Sequence, residues 1–119
     1  TGEIDVTFSP VGTGNGTDSS VFALATDGTN LFIGGAFSAY RSVALSATRI
    51  AKVNAASGAI DTAFSPVGAG KNGFGTGDFV YTLATLGNSL FVGGDLSAYR
   101  TTSPSRGMVK LAIATGAVE

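Results

Sequence analysis

Two Tyr-Arg pairs, Tyr40-Arg41 and Tyr99-Arg100, stand 59 positions apart and are the residues of this chain best equipped for recognition chemistry. A phenol beside a guanidinium supplies a flat apolar ring, a hydroxyl and a planar fork of donors, a set that suits a polyhydroxylated ligand such as a glycan. The same pair also serves structure: the ring packs in a seam with its hydroxyl satisfied, while the Arg meets a carboxylate. Because both halves of the chain carry the pair, what each half needs in order to fold explains it first. Positions where the halves differ are better suited to specificity. The stretch 70–79, GKNGFGTGDF, forms a longer loop expected to display Lys71 and Phe74, and TTSPSR at 101–106 answers SVALSATR at 42–49. A neutral difference in loop length is the plainer reading of both.

Other chemistries find less support. Asp5, Asp27 and Asp61 could hold Ca²⁺ together with nearby carbonyls, but there is no Asp-x-Asp-x-Asp loop to gather carboxylates round one ion. Asp5 and Asp61 are expected instead to hold turns through side-chain-to-backbone hydrogen bonds. GAGKNG at 68–73 matches G-x-G-x-x-G, yet FSP precedes it and an apolar run follows, so no helix N-terminus receives a phosphate. Read as a P-loop it has Asn72 for Ser/Thr and Ser65 for the first Gly. Asn15-Gly16-Thr17 is a formal glycosylation sequon. The chain has no His and no Cys, which removes thiol and imidazole catalysis, disulfides and Cys/His zinc sites. Catalysis would rest on carboxylates, Lys or Tyr, and no carboxylate pair recurs at a spacing that spans a cleft. The expectation is a protein that is not an enzyme and carries no cofactor beyond a conceivable calcium ion.

The elements that position these residues follow from composition and repetition. Of the 119 residues, 44% are hydrophobic and 13% charged, against a usual charged share of roughly 25%. Such a chain is built to bury surface. Its net charge of −1 offers no basic stripe for phosphates, so nucleic acid is not an expected partner. No apolar run reaches the ~20 residues of a membrane-spanning helix, so membrane insertion is not expected. The opening on Thr1 rather than Met reads as a processed or excised start.

LFIGGAFSAYR (Leu31–Arg41) and LFVGGDLSAYR (Leu90–Arg100) differ only at Ile33/Val92, Ala36/Asp95 and Phe37/Leu96. TGEIDVTFSPVG (Thr1–Gly12) answers SGAIDTAFSPVG (Ser57–Gly68), VFALAT (Val21–Thr26) answers VYTLAT (Val80–Thr85), and IAKVNAASG (Ile50–Gly58) answers MVKLAIATG (Met108–Gly116). Length changes fall in Gly- and Ser-rich stretches, the mark of one structural unit copied. The expected division is a first repeat over 1–56, a second over 57–114, and 115–119 as the start of a third or as a strand completing a neighbour. Runs of four to six β-branched, aromatic and aliphatic residues bounded by Gly or Asn predict strands at Val21–Thr26, Leu31–Ile33, Ile50–Val53 and Ile60–Phe64. TDGTN and TLGNS mark hairpin turns. LFIGGAF is apolar on both faces, as in a strand covered on both sides. Four short strands per repeat, with both faces buried by neighbours, predict all-β architecture in the form of propeller blades.

At these residues the chain resembles the delta-60 repeat family of predicted β-propellers. Its pattern is matched by Asp5–Phe8 and Asp61–Phe64, by Leu31–Phe37 and Leu90–Leu96, and by Arg49–Asn54. The second copy departs from it with Leu96 for Phe and with RGMVKLA (Arg106–Ala112), which lacks the Asn. A Gly-Gly followed by Tyr also resembles kelch blades, but the kelch Trp is missing. The resemblance implies a bacterial secreted or cell-surface protein with no catalytic site. Two blades cannot close a ring of ~4–8, so self-association or further blades of the same parent chain are the expected partners. The expected function is a non-enzymatic extracellular structural or adhesive module assembling through blade edges, as ring or filament. A carbohydrate-binding propeller with one site per blade is the alternative.

Overall fold

A computed structural model describes residues 1–9, 16–41, 43–44, 49–64, 74, 77–97, 99 and 107–119, and they form an all-β structure with no helix among them. The strands are β1 (Val21–Thr26), β2 (Asn30–Gly35), β3 (Ala39–Tyr40), β4 (Val43–Ala44), β5 (Ile50–Asn54), β6 (Phe79–Leu86), β7 (Ser89–Asp95) and β8 (Met108–Ala112). They make two open three-stranded antiparallel sheets, β1-β2-β5 and β6-β7-β8, and a two-stranded ribbon, β3-β4. The sequence repeat is thus a structural repeat. β2 pairs Leu31 with Val53 and Ile33 with Ala51, and β7 pairs Leu90 with Leu111 and Val92 with Val109.

Local chemistry makes the hairpins. In the β1-β2 turn the Asp27 carboxylate accepts the amides of Thr29 at 3.0 Å and Asn30 at 2.7 Å, and Gly28 takes a φ of 97°. That conformation penalises any residue with a Cβ. β1 and β6 carry bulges at equivalent places, between Val21 and Ala23 and between Val80 and Thr82. Each bulge lies opposite the Gly-Gly of the next strand. A Cβ on Gly35 would strike the Ser20 carbonyl oxygen and come within 2.9 Å of the Val21 Cα, while one on Gly94 would strike the Phe79 carbonyl. The repeated Gly-Gly therefore exists to let neighbouring backbones approach.

The expected fourth strand, Ile60–Phe64, is reduced to a single bridge. Ile60 pairs with Val53, and the chain then turns because Asp61 Oδ1 accepts the amides of Ala63 at 2.9 Å and Phe64 at 3.3 Å. Val118 bridges Leu111 in the second copy in the same way. Each three-stranded sheet is thus extended by one bridged residue, and Ile60 joins the first sheet from beyond the expected boundary at residue 56.

The two sheets pack face to face. Antiparallel partners share a face, so the pairing places Ala25, Phe32, Gly34, Ile50 and Lys52 on one side of the first sheet, hereafter its front. Leu24, Leu31, Ile33, Ala51 and Val53 form its back. In the second sheet Val80, Leu83, Leu90, Val92, Val109 and Leu111 form the back. The front of the first meets the back of the second in one cluster containing Phe32, Ile50, Val80, Leu90, Val92 and Leu111, all buried, with Phe64 wedged beside them. Each such side chain contributes about 1.5–3 kcal/mol on burial. Gly34 leaves the space that the Val80 side chain fills. A second cluster, Ile33, Phe37, Tyr40, Ala51 and Val53, covers the back of the first sheet, where Phe8 stands as Phe64 does in the next repeat.

Candidate functional site

Tyr40 closes β3 and Arg41 follows it at a φ of 50°, in left-handed backbone uncommon for a residue with a side chain. That turn sends both side chains toward Ser57-Gly58, the turn leaving the first sheet. The Tyr40 hydroxyl donates to the Gly58 carbonyl at 2.7 Å. Arg41 Nη2 donates to the carbonyls of Ser57 at 2.9 Å and Phe8 at 2.7 Å, with the guanidinium 5.6 Å from the Tyr40 ring centre. Arg41 therefore meets backbone carbonyls where a carboxylate was expected, because the turn presents acceptors freed by the end of the sheet. Arg41 Nε has no protein partner among the described residues. Tyr99 repeats the bond, donating to the Gly116 carbonyl at 2.7 Å.

Neither phenol faces solvent: Tyr40 is 5% exposed and Tyr99 0%. Burial pushes the Tyr40 phenol up, with the Arg41 charge opposing only in part, so it remains a neutral donor at ordinary pH. Phe74, expected on display in its loop, is 3% exposed, its ring 4.7 Å from that of Tyr99. Lys71 and Arg100 lie outside the described residues, as do GAGKNG, Asn15 and most of the loops 42–49 and 101–106. The expected ligand set thus divides into a buried part that clamps turns and a part without described positions.

Two cations that sequence reasoning passed over as site residues join the sheets. Arg49, at a φ of 73°, donates through Nε to the Asp78 carbonyl at 2.9 Å and through Nη1 to the Ala36 and Phe37 carbonyls at 2.9 and 3.1 Å. Its guanidinium stands 5.9 Å from the Phe79 ring centre. Lys52 is buried on the front of the first sheet, pairs with Asp61 at 3.0 Å and donates to the Ile113 carbonyl of the second unit at 3.0 Å. A lysine inside the apolar run Ile50–Val53 was the available signal. Burial alone would raise the Asp61 carboxyl, but the Lys52 ammonium and the Ala63 and Phe64 amides outweigh it and hold the group below its ordinary value.

Three further carboxylates accept backbone amides. Asp18 accepts the Ser38 amide at 2.8 Å and the Ala39 amide at 3.0 Å, which keep it acidic, the Ser38 amide foremost and against the effect of burial. Asp78 does the same for Ser97, taking its amide at 2.9 Å and its hydroxyl at 2.7 Å. Asp5 Oδ1 accepts the amides of Thr7 at 2.9 Å and Phe8 at 3.3 Å. No group of three or more His, Cys, Asp or Glu gathers as for a metal ion among the described residues. A cavity of about 470 Å³ beside Asp78 is lined by Gly77, Gly94, Asp95, Leu96, Ser97 and Gly107. Its described lining holds two carboxylates and the Ser97 hydroxyl, which donates to Asp78. Exposed aromatic surface lies elsewhere: Phe22 and Tyr81, each about half exposed, sit 5.4 Å apart between ring centres on β1 and β6.

No family model matches the chain, and neither a curated protein nor a solved structure matches it. No helix among the described residues is long and apolar enough to cross a membrane.

Proposed function

We propose that this chain is a non-enzymatic structural or adhesive module, two blades of a β-propeller-like assembly acting outside the cell or at its surface. One observation carries the reading: the residues repeated in both units are spent on holding the unit together. Tyr40 and Tyr99 clamp equivalent turns, Asp18 and Asp78 cap equivalent serines, and the Gly-Gly pairs admit equivalent bulges. A repeat so used is a building block. The resemblance to delta-60 propellers supports the extracellular setting.

A carbohydrate-binding propeller is the second reading, and the exposed ring pair Phe22 and Tyr81 favours it, since two open faces in successive repeats can stack a sugar. A glycan array separates the two. The structural reading expects no glycan retained by the wild-type chain. A glycan retained by the wild type and lost on Tyr81→Ala would replace it with the second.

A further inference from the structure

We propose that the exposed front of the second sheet docks a second copy of this chain, on the back of that copy's first sheet, head to tail. The inference rests on reading the chain as a stacking unit and names the partner of that stack.

The internal interface is the template. There the front of β1-β2-β5 is sealed by the back of β6-β7-β8. The front of the second sheet carries the corresponding residues, and among the described residues no other sheet packs on them. Met108 stands where Ile50 does, Phe91 where Phe32 does, Gly93 where Gly34 does and Lys110 where Lys52 does. Ile50 and Phe32 are fully buried, whereas Met108 is 65% exposed. On the acceptor back, Ile33, Ala51 and Val53 are covered by Phe37 and Tyr40 of their own unit, and the open part lies along β1 at Val21 and Leu24. Leu24 on β1 is 59% exposed, and its counterpart Leu83 is partly buried against the first sheet.

Polar groups continue the pattern. Lys52 reaches across to the Ile113 carbonyl. Lys110, 5.9 Å from the Phe91 ring centre, holds a half-exposed pair to Glu119 at 3.0 Å. Ala55 is the counterpart of Ile113, so Lys110 donates to the Ala55 carbonyl of the second copy. The contact is placed on faces, as in the internal interface, while the Ile60 and Val118 bridges take part of the β5 and β8 edges. A front that fits a back is heterologous, and such contacts propagate as rings or filaments.

Sedimentation velocity on the 119-residue chain, across a range of concentrations, tests this with three samples. The wild type is expected to grow beyond the 11.8 kDa of one chain as concentration rises. Met108→Lys (front) and Leu24→Lys (back), both at exposed sites, are each expected to stay monomeric. Their equimolar mixture is expected to stop at dimers, because one intact front meets one intact back. Circular dichroism checks folding, and Lys110→Glu and Val21→Lys replace any variant that fails it. A wild type monomeric throughout, a single variant that still associates, or a mixture that stays monomeric overturns the proposal. The glycan array reads independently of mass, so failure of the docking and failure of the structural reading are told apart.

Discussion

The side chains that look most like ligands are turn clamps, and this has a measurable consequence. Tyr99→Phe keeps the ring against Phe74 and removes only the hydroxyl bonded to Gly116. The carbonyl left buried is expected to cost about 1–3 kcal/mol. Urea unfolding should show the midpoint fall with little change in slope, since the surface exposed on unfolding is the same. Asp61 yields a pH signature. Its carboxyl is held below the ordinary 3.8 in the folded chain. A depressed folded value means stability that is present above the unfolded value and lost as pH falls through the folded one. Asp61→Asn should therefore be less stable than wild type at pH 7, where Lys52 loses its anion. The gap should narrow in urea titrations below about pH 4, as the wild-type carboxyl protonates.

At the scale of the strand, spacing between backbones decides which substitutions survive. Gly35→Ala drives a methyl into the Ser20 carbonyl and the Val21 backbone, neither of which can swing aside. Overpacking of this kind costs about 1–3 kcal/mol. Gly77→Ala meets nothing within 4 Å and takes no positive φ, so it should change stability by less than about 0.5 kcal/mol. Thermal melts of the pair separate the two cases. The same contrast explains why the expected strand Ile60–Phe64 shortened. Its apolar residues favour a strand, but Asp61 offers the next amides an acceptor of its own, and a local bond closes before a ladder forms.

At the scale of the whole molecule, one difference between the two units falls where they would meet a neighbour. Arg49 ties the first sheet to the second, whereas the second sheet has Gly107 in that place, at a φ of 91° that matches the 73° of Arg49. Under the docking proposal, Gly107→Arg should restore the tie, reaching the Asp18 carbonyl of a second copy as Arg49 reaches that of Asp78. The left-handed backbone penalty falls on the free and the docked chain alike, so association gains a charged hydrogen bond of about 1.5–3 kcal/mol less about 0.5–1.5 kcal/mol for ordering the Arg side chain. Association measured by sedimentation should tighten by about fivefold. An unchanged association would show that the tie belongs to the internal interface alone.

The repeat, the all-β class, the hairpin turns and the Asp-held turns were legible in the amino-acid order, because each depends on neighbours within a few positions. Asp27 and Gly28 act on residues two or three away, and strand pairing follows once the turns are set. Which sheet face would be covered was not legible, since Leu24 and its counterpart Leu83 are equally apolar and only stacking buries the second. Nor was the burial of Phe74, or the reach of Arg49 to Asp78 and of Lys52 to Ile113, contacts spanning 29 and 61 positions. Those depend on how one twisted sheet lies across the next, a relation set by side-chain packing over the whole interface and carried by no single stretch of chain.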